Sequence, residues 1–175
     1  MDEVLLVGFR WAGDVAPQEL VALARRAAVP LFRALDGDDG CAYLDGEAGR
    51  ELADSAQWQA TRLQRLQHLP GAAFGAAAPY HYVVATDVAP GGDAELNAWY
   101  AEEHLPGLAA VPGTVQATRF VDPVGSPRYL ACYDLAVLSA FNSPAWLAVR
   151  GTAWSSRVRP TFRATRRTMY RRIDP

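Results

Sequence analysis

The segment WYAEEHLPGL, Trp99 to Leu108, places two carboxylates and a histidine immediately ahead of a proline. Proline lacks an amide N–H and disfavours helical geometry at the residue before it, so a helix entering this segment is expected to end at about His104. In a last turn the unsatisfied carbonyls favour imidazolium by about 0.3–1 kcal/mol. Glu102 and Glu103 push the same way. A histidine that starts at about pKa 6.5 would then titrate close to or above neutrality, which suits a general acid or a proton shuttle. The plainer alternative is an imidazole that only caps free carbonyls.

Tyr100, four residues before His104, shares its helix face, and Trp99 and Glu103 form the adjoining stripe. Glu103 is about 100° around the helix from His104. It is the candidate second catalytic residue, orienting the pocket, with a solvated carboxylate as the alternative. Trp99 and Tyr100 are candidate walls for a substrate. A second histidine, His81, opens the run YHYVVATDV and by alternation shares a face with Val83, Ala85 and Asp87. It is either a structural residue or a substrate contact.

Composition narrows the chemistry. All 17 basic residues are arginine, which removes lysine Schiff-base and phosphate-loop mechanisms. A formal charge of −2 gives no general attraction to phosphate backbones or anionic membranes, so nucleic acid is not an expected partner. Cys41 and Cys132 are isolated thiols in apolar runs and make neither a disulfide framework nor a zinc site. No nucleotide fingerprint or metal cluster is present, and the expectation is an enzyme without a cofactor or metal. The start MDEVLLVGF has no basic n-region, and no apolar run approaches a membrane span. A cytoplasmic location is expected, with a hydrophobic small molecule as the partner and a homodimer as a further option.

These residues need elements to position them. EVLLVGFRW (3–11) reads as a strand, DVAPQELVALARRAA (14–28) as a helix, PLFRALD and CAYLD as a hairpin, and ELADSAQWQATRLQRLQ (51–67) as a second helix. After the small-residue linker LPGAAFGAAAP (69–79) the order recurs. YHYVVATDV (80–88) is a strand, DAELNAWYAEEH (93–104) a helix with Asp93 as N-cap, and TVQATRFVD and RYLACYDLA a strand pair. SAFNSPAWLAVRG (139–151) is a helix and TFRATRRTMYRRI (161–173) a closing strand. RALD at 33–36 echoes RFVD at 119–122, and SAQW at 55–58 echoes SPAW at 143–146. The fold class is α+β, with two tandem ferredoxin-like βαββ(α)β units, residues 1–78 and 79–175. Each unit leaves one apolar sheet face bare, so the two sheets are expected to pack face to face as a pseudo-dimer.

From Ala94 onward the chain resembles the EthD-like members of the dimeric α/β-barrel superfamily. The resemblance rests on WYAEEHLPGLAAVPGTVQATRF, PRYLACYDL, SPAW and the arginine-rich close of residues 154–173. Its specific part is a helix-borne W-x-x-x-x-H followed by Pro-Gly. The first half carries no such motif and resembles a degenerate unit. The resemblance implies that His104 faces a pocket between sheet and helices, with Arg119, Tyr133 and Trp146 on the elements packed around it. It implies proton-transfer chemistry on an aromatic or polyketide-like metabolite: cyclisation, dehydration or isomerisation. A cofactor-independent monooxygenase and a non-catalytic ligand carrier are the alternatives. Heme, with His68, His81 or His104 as axial ligand, is the remaining option. The arginines of 157–172 are read as a solvated or subunit-facing edge.

Overall fold

Residues 3–46, 48–49 and 59–175 are described by a computed structural model. Eight strands close into one barrel in the order β1-β3-β2-β8-β5-β7-β6-β4. They are β1 (Glu3–Arg10), β2 (Leu31–Ala34), β3 (Asp39–Leu44), β4 (Gln59–Pro70), β5 (Tyr80–Val88), β6 (Thr114–Val121), β7 (Tyr129–Leu135) and β8 (Phe162–Ile173). Within each half the strand order is alike, β4-β1-β3-β2 and β8-β5-β7-β6. The two half-sheets were expected to pack face to face as a sheet-on-sheet barrel; they are joined by hydrogen bonds edge to edge, β2 to β8 and β4 to β6, so that among the described residues the sheet closes on itself.

Closure and the covering helix give β1 two covered faces, which is why it reads as a nearly continuous apolar run. Leu5, Val7 and Phe9 pack under helix α1 (Gln18–Ala27) against its buried Leu20, Leu23 and Ala24. Val4 turns the other way, into the lumen, with Leu63, Val83, Phe120, Leu130 and Cys132. The outer face of the second half is covered by α2 (Asp93–Trp99), α3 (Leu105–Ala109), α4 (Pro144–Arg150) and α5 (Ala153–Val158). Beneath them lies the largest apolar cluster, centred on Trp99, Tyr133 and Trp146. Among the described residues no helix is long and apolar enough to cross a membrane.

Two expected elements differ. The helix read over 51–67 falls partly on residues outside those described, and the SAQW echo lies wholly outside them, but Gln59–Pro70 is strand β4. Leu63, Leu66 and Leu69 are spaced like a helix face because a β-bulge between Arg65 and Gln67 shifts the register. Leu63 can therefore face the lumen while Leu69 packs under the second-half helices.

The helix carrying His104 does not stop there. Residues Tyr100–His104 form a π-helical turn in which the Leu105 N–H reaches back to the Tyr100 carbonyl, and α3 continues through Pro106. The wider turn accommodates a residue that has no N–H and whose ring would clash with the preceding turn. Gly107 is not a turn residue here: a Cβ on it would lie 2.8 Å from Val149 Cγ1, so its bareness lets α3 approach α4. The N-cap of α2 is Gly92, and Asp93, the first helical residue, accepts a 2.6 Å hydrogen bond from the Tyr129 hydroxyl.

Candidate active site

The π turn decides where His104 points. Its imidazole is buried, stacks on the Trp99 indole with centroids 4.1 Å apart and 21° between planes, and meets Tyr100 edge-on at 5.3 Å. Regular helix spacing selects Tyr100 as the face-sharing neighbour, whereas the widened turn brings Trp99 beneath the ring. His104, Trp99, Tyr100, Tyr133 and Trp146 all line one cavity of about 30 Å³ between the helices and the sheet. Among the described residues, Tyr82, Val84, Leu108, Phe162, Arg150, Arg159 and Arg167 make up the rest of its wall. Trp146 meets Tyr133 at 5.3 Å and Tyr82 at 6.0 Å, both nearly perpendicular, which fixes the aromatic side of the cavity.

Three buried polar atoms of this wall have no partner: His104 Nδ1, the Tyr133 hydroxyl and Trp99 Nε1. Most buried polar groups are paired, so a cluster of unpaired ones around one cavity marks a place for a polar guest. The charge state of His104 is opposite to the expected one. Burial, reinforced by the positive charges of Arg159 and Arg150, pulls its pKa down to about 3. His104 is therefore a neutral imidazole at physiological pH, a hydrogen-bond partner and proton acceptor rather than a resting acid. The argument from a helix end fails because the helix continues past it.

Arg119, also expected at this site, is nearly fully buried on β6 and stacks on Tyr100 and Tyr129 at 4.3 and 5.0 Å from their ring centroids. It supports the Tyr100 ring but does not line the cavity. Glu103 points to the helix junction instead, where its Oε1 accepts a 2.6 Å hydrogen bond from the Thr152 hydroxyl at the N-cap of α5. Arg159 and Arg167 belong to the cluster read as a solvated edge. Alternation on β8 could have placed Arg167 with Met169, which packs on the outer cluster, opposite Tyr170 in the lumen.

His81 lies elsewhere, in the barrel lumen. It pairs in register with Asp134 on β7, and its Nδ1 donates to Asp134 Oδ1 at 2.5 Å. Its Nε2 is 3.0 Å from the Tyr43 hydroxyl, and Asp134 Oδ2 accepts from Gln116 Nε2 at 2.5 Å. Burial alone would lower the imidazole pKa, but the Asp134 carboxylate outweighs it and holds His81 up at about 10. Asp134 is correspondingly held below the usual carboxylate range. This ion pair was not legible, because Tyr43, Asp134 and Gln116 are distant in sequence and meet only through the strand register.

Of the three histidines read as possible heme ligands, His81 has both ring nitrogens already engaged in hydrogen bonds. His68 is exposed on β4 with Nδ1 bonded to Thr118 Oγ1.

No family model matches this chain, and no curated protein does. Solved structures do resemble it. A ferredoxin-fold protein related to antibiotic biosynthesis monooxygenases, from Listeria monocytogenes, superposes with a TM-score of 0.61 at 10% identity, covering 100% of this chain and 97% of that one. An anthrone oxidase-like protein gives 0.61 at 14% identity over 98% and 91% of the two chains. A heme-degrading enzyme from Listeria monocytogenes gives 0.57 at 12% identity over 97% and 98%. At such identities the likeness establishes the α+β, ferredoxin-like barrel fold and nothing finer.

Proposed function

We propose that this chain is a cofactor-independent enzyme that binds an aromatic or polyketide-like small molecule beneath α2 and removes a proton from it with His104. The observation that carries this reading is the unpartnered His104 Nδ1 and Tyr133 hydroxyl on one aromatic-walled cavity, beside Arg150, Arg159 and Arg167. The neutral imidazole takes a proton from an acidic C–H or O–H of the substrate, leaving an enolate or phenolate. Three guanidinium groups stabilise that anion where it forms. A pKa of about 3 describes the resting site. The substrate anion raises it as the proton moves, because opposite charges favour the imidazolium. The imidazolium then returns the proton at another carbon, or to a departing hydroxyl, giving isomerisation, cyclisation or dehydration.

The 30 Å³ cavity admits a water-sized group, so a ring system enters by displacement of the long arginine side chains in the wall. Trp99, Tyr100, Tyr133 and Trp146 bind the substrate rings. Arg119 supports Tyr100, and Glu103 positions the π turn. We read residues 79–175 as the half that carries the site and 1–78 as a companion half serving structure.

Likeness to an anthrone oxidase-like protein favours a second reading, in which the same carbanion reacts with dioxygen. Anthrone separates the two. Under nitrogen in D2O, the protein should accelerate deuterium incorporation at the acidic methylene above the buffer rate, and His104→Gln should lower that acceleration by about 10²–10⁴-fold. Oxygen uptake in air, abolished by the same substitution, would favour the monooxygenase. Bound anthrone that neither exchanges nor oxidises faster than in buffer would leave a ligand carrier.

A further inference from the structure

The lumen contains a second and much larger space. A cavity of about 580 Å³ opens at one end of the barrel, within the range of about 300–1,000 Å³ typical of small-molecule sites. Leu6, Val83 and Leu130 give it apolar wall, and the Tyr43 and Tyr170 side chains line it as well. Among the described residues its charges balance: Arg10 and Arg166 are offset by Asp39 and Asp122, with Arg10 paired to Asp39 at 2.5 Å. A wall without net charge suits a neutral guest.

Tyr43 is the end of a hydrogen-bonded chain that starts at Gln116 and runs through Asp134 and His81. With both imidazole nitrogens protonated, His81 Nε2–H donates to the Tyr43 oxygen, and the phenolic hydrogen must find an acceptor elsewhere. Among the described residues the one in reach is Cys132 Sγ at 3.5 Å, a weak acceptor. A carbonyl oxygen in the cavity would be a better one, and donation from His81 makes the hydroxyl a stronger donor. Burial keeps Tyr43 itself protonated, its pKa well above the ordinary phenol value.

We propose that the barrel lumen is a binding site for a neutral, largely apolar small molecule bearing a carbonyl group, which accepts a hydrogen bond from Tyr43 oriented by the Asp134–His81 pair. This site is separate from the helix-side cavity of His104, since the two share no lining residue.

Fluorenone and fluorene, of one shape with and without a carbonyl, test it. Equilibrium dialysis uses the Leu108→Trp variant, whose indole fills the helix-side cavity that Leu108 lines. Fluorenone should bind saturably and about three- to tenfold more tightly than fluorene. Tyr43→Phe should reduce that ratio to one, and the infrared carbonyl stretch of bound fluorenone, lowered in the parent protein, should return upward. Leu130→Trp should abolish binding of both. If that variant does not fold, methyl NMR of the parent protein should show fluorenone perturbing Val83 and Leu130. No saturable binding, equal binding of the two probes, a ratio that survives Tyr43→Phe, or perturbation confined to methyl groups outside the lumen would each overturn the proposal.

Discussion

The His104 imidazole lies nearly parallel to the Trp99 indole, ring centroids 4.1 Å apart, although the two residues are five positions apart in the chain. A regular α-helix would set two such side chains about 140° apart around its axis. The π turn over Tyr100–His104 removes that offset and buries the imidazole, and burial is the first cause of its lowered pKa. Local backbone geometry thus fixes the charge state of the candidate base.

That charge state has a signature in stability. The unfolded chain takes up a proton on His104 near its ordinary pKa of about 6.5, while the folded chain does not until about pH 3. Stability therefore falls as pH drops through this window, by up to about 1.4 kcal/mol per pH unit from this group. His104→Gln should flatten the acid limb of a plot of denaturation midpoint against pH relative to the parent. Parallel curves would show that His104 is not desolvated.

The neighbouring cations supply the second part of the shift. Arg159 and Arg150 both lower the His104 pKa. Arg159→Gln should raise the His104 midpoint toward its ordinary value, read from the imidazole proton resonances. It should also slow anthrone exchange by removing charge that stabilises the anion. An unchanged midpoint would mean that Arg159 does not act on the imidazole.

How much of this was readable depended on whether residues meet through local periodicity or through register. The strands β1, β5, β6, β7 and β8 and helix α1 follow from apolar runs, alternation and helical spacing, and Trp99, Tyr100 and His104 share a cavity because they are close in sequence. The tetrapeptide HLPG shows where local reading stops. At 68–71 it runs out of strand β4, and at 104–107 it lies across a π turn and a helix. What differs is the tertiary surroundings: pairing with β6 in the first case and packing on α4 in the second. The lumen network was illegible for a related reason, since Tyr43, His81 and Asp134 come from strands of both halves.

The ion pair in the lumen should show the opposite pH dependence. His81 is held at about 10 in the folded chain, so its contribution is complete below the unfolded value of about 6.5. It declines as pH rises through the folded value. Asp134→Asn removes the carboxylate that holds the proton, and breaking a buried pair costs about 3–5 kcal/mol. The variant should be less stable at pH 6 and should lose less further stability between pH 7 and pH 10 than the parent. An equal alkaline loss in both would place the titrating group elsewhere.

Pro106 carries the last prediction. In an uninterrupted α-helix residue 106 would donate to the carbonyl of Glu102, which proline cannot do, and its ring would press on that turn. The π turn accommodates it by moving the Leu105 N–H to the Tyr100 carbonyl. Pro106→Ala supplies the missing donor and removes the clash, so the turn should tighten to α-helical spacing and rotate His104 off Trp99. The imidazole would lose its burial, its midpoint would rise toward the ordinary histidine value, and anthrone exchange would fall although every residue lining the cavity is retained. Backbone hydrogen exchange at Leu105 and the His104 resonances measure the two halves of this chain of cause. An alanine variant that keeps both the low midpoint and the exchange rate would assign the π turn to packing around Trp99 and Gly107 rather than to the proline.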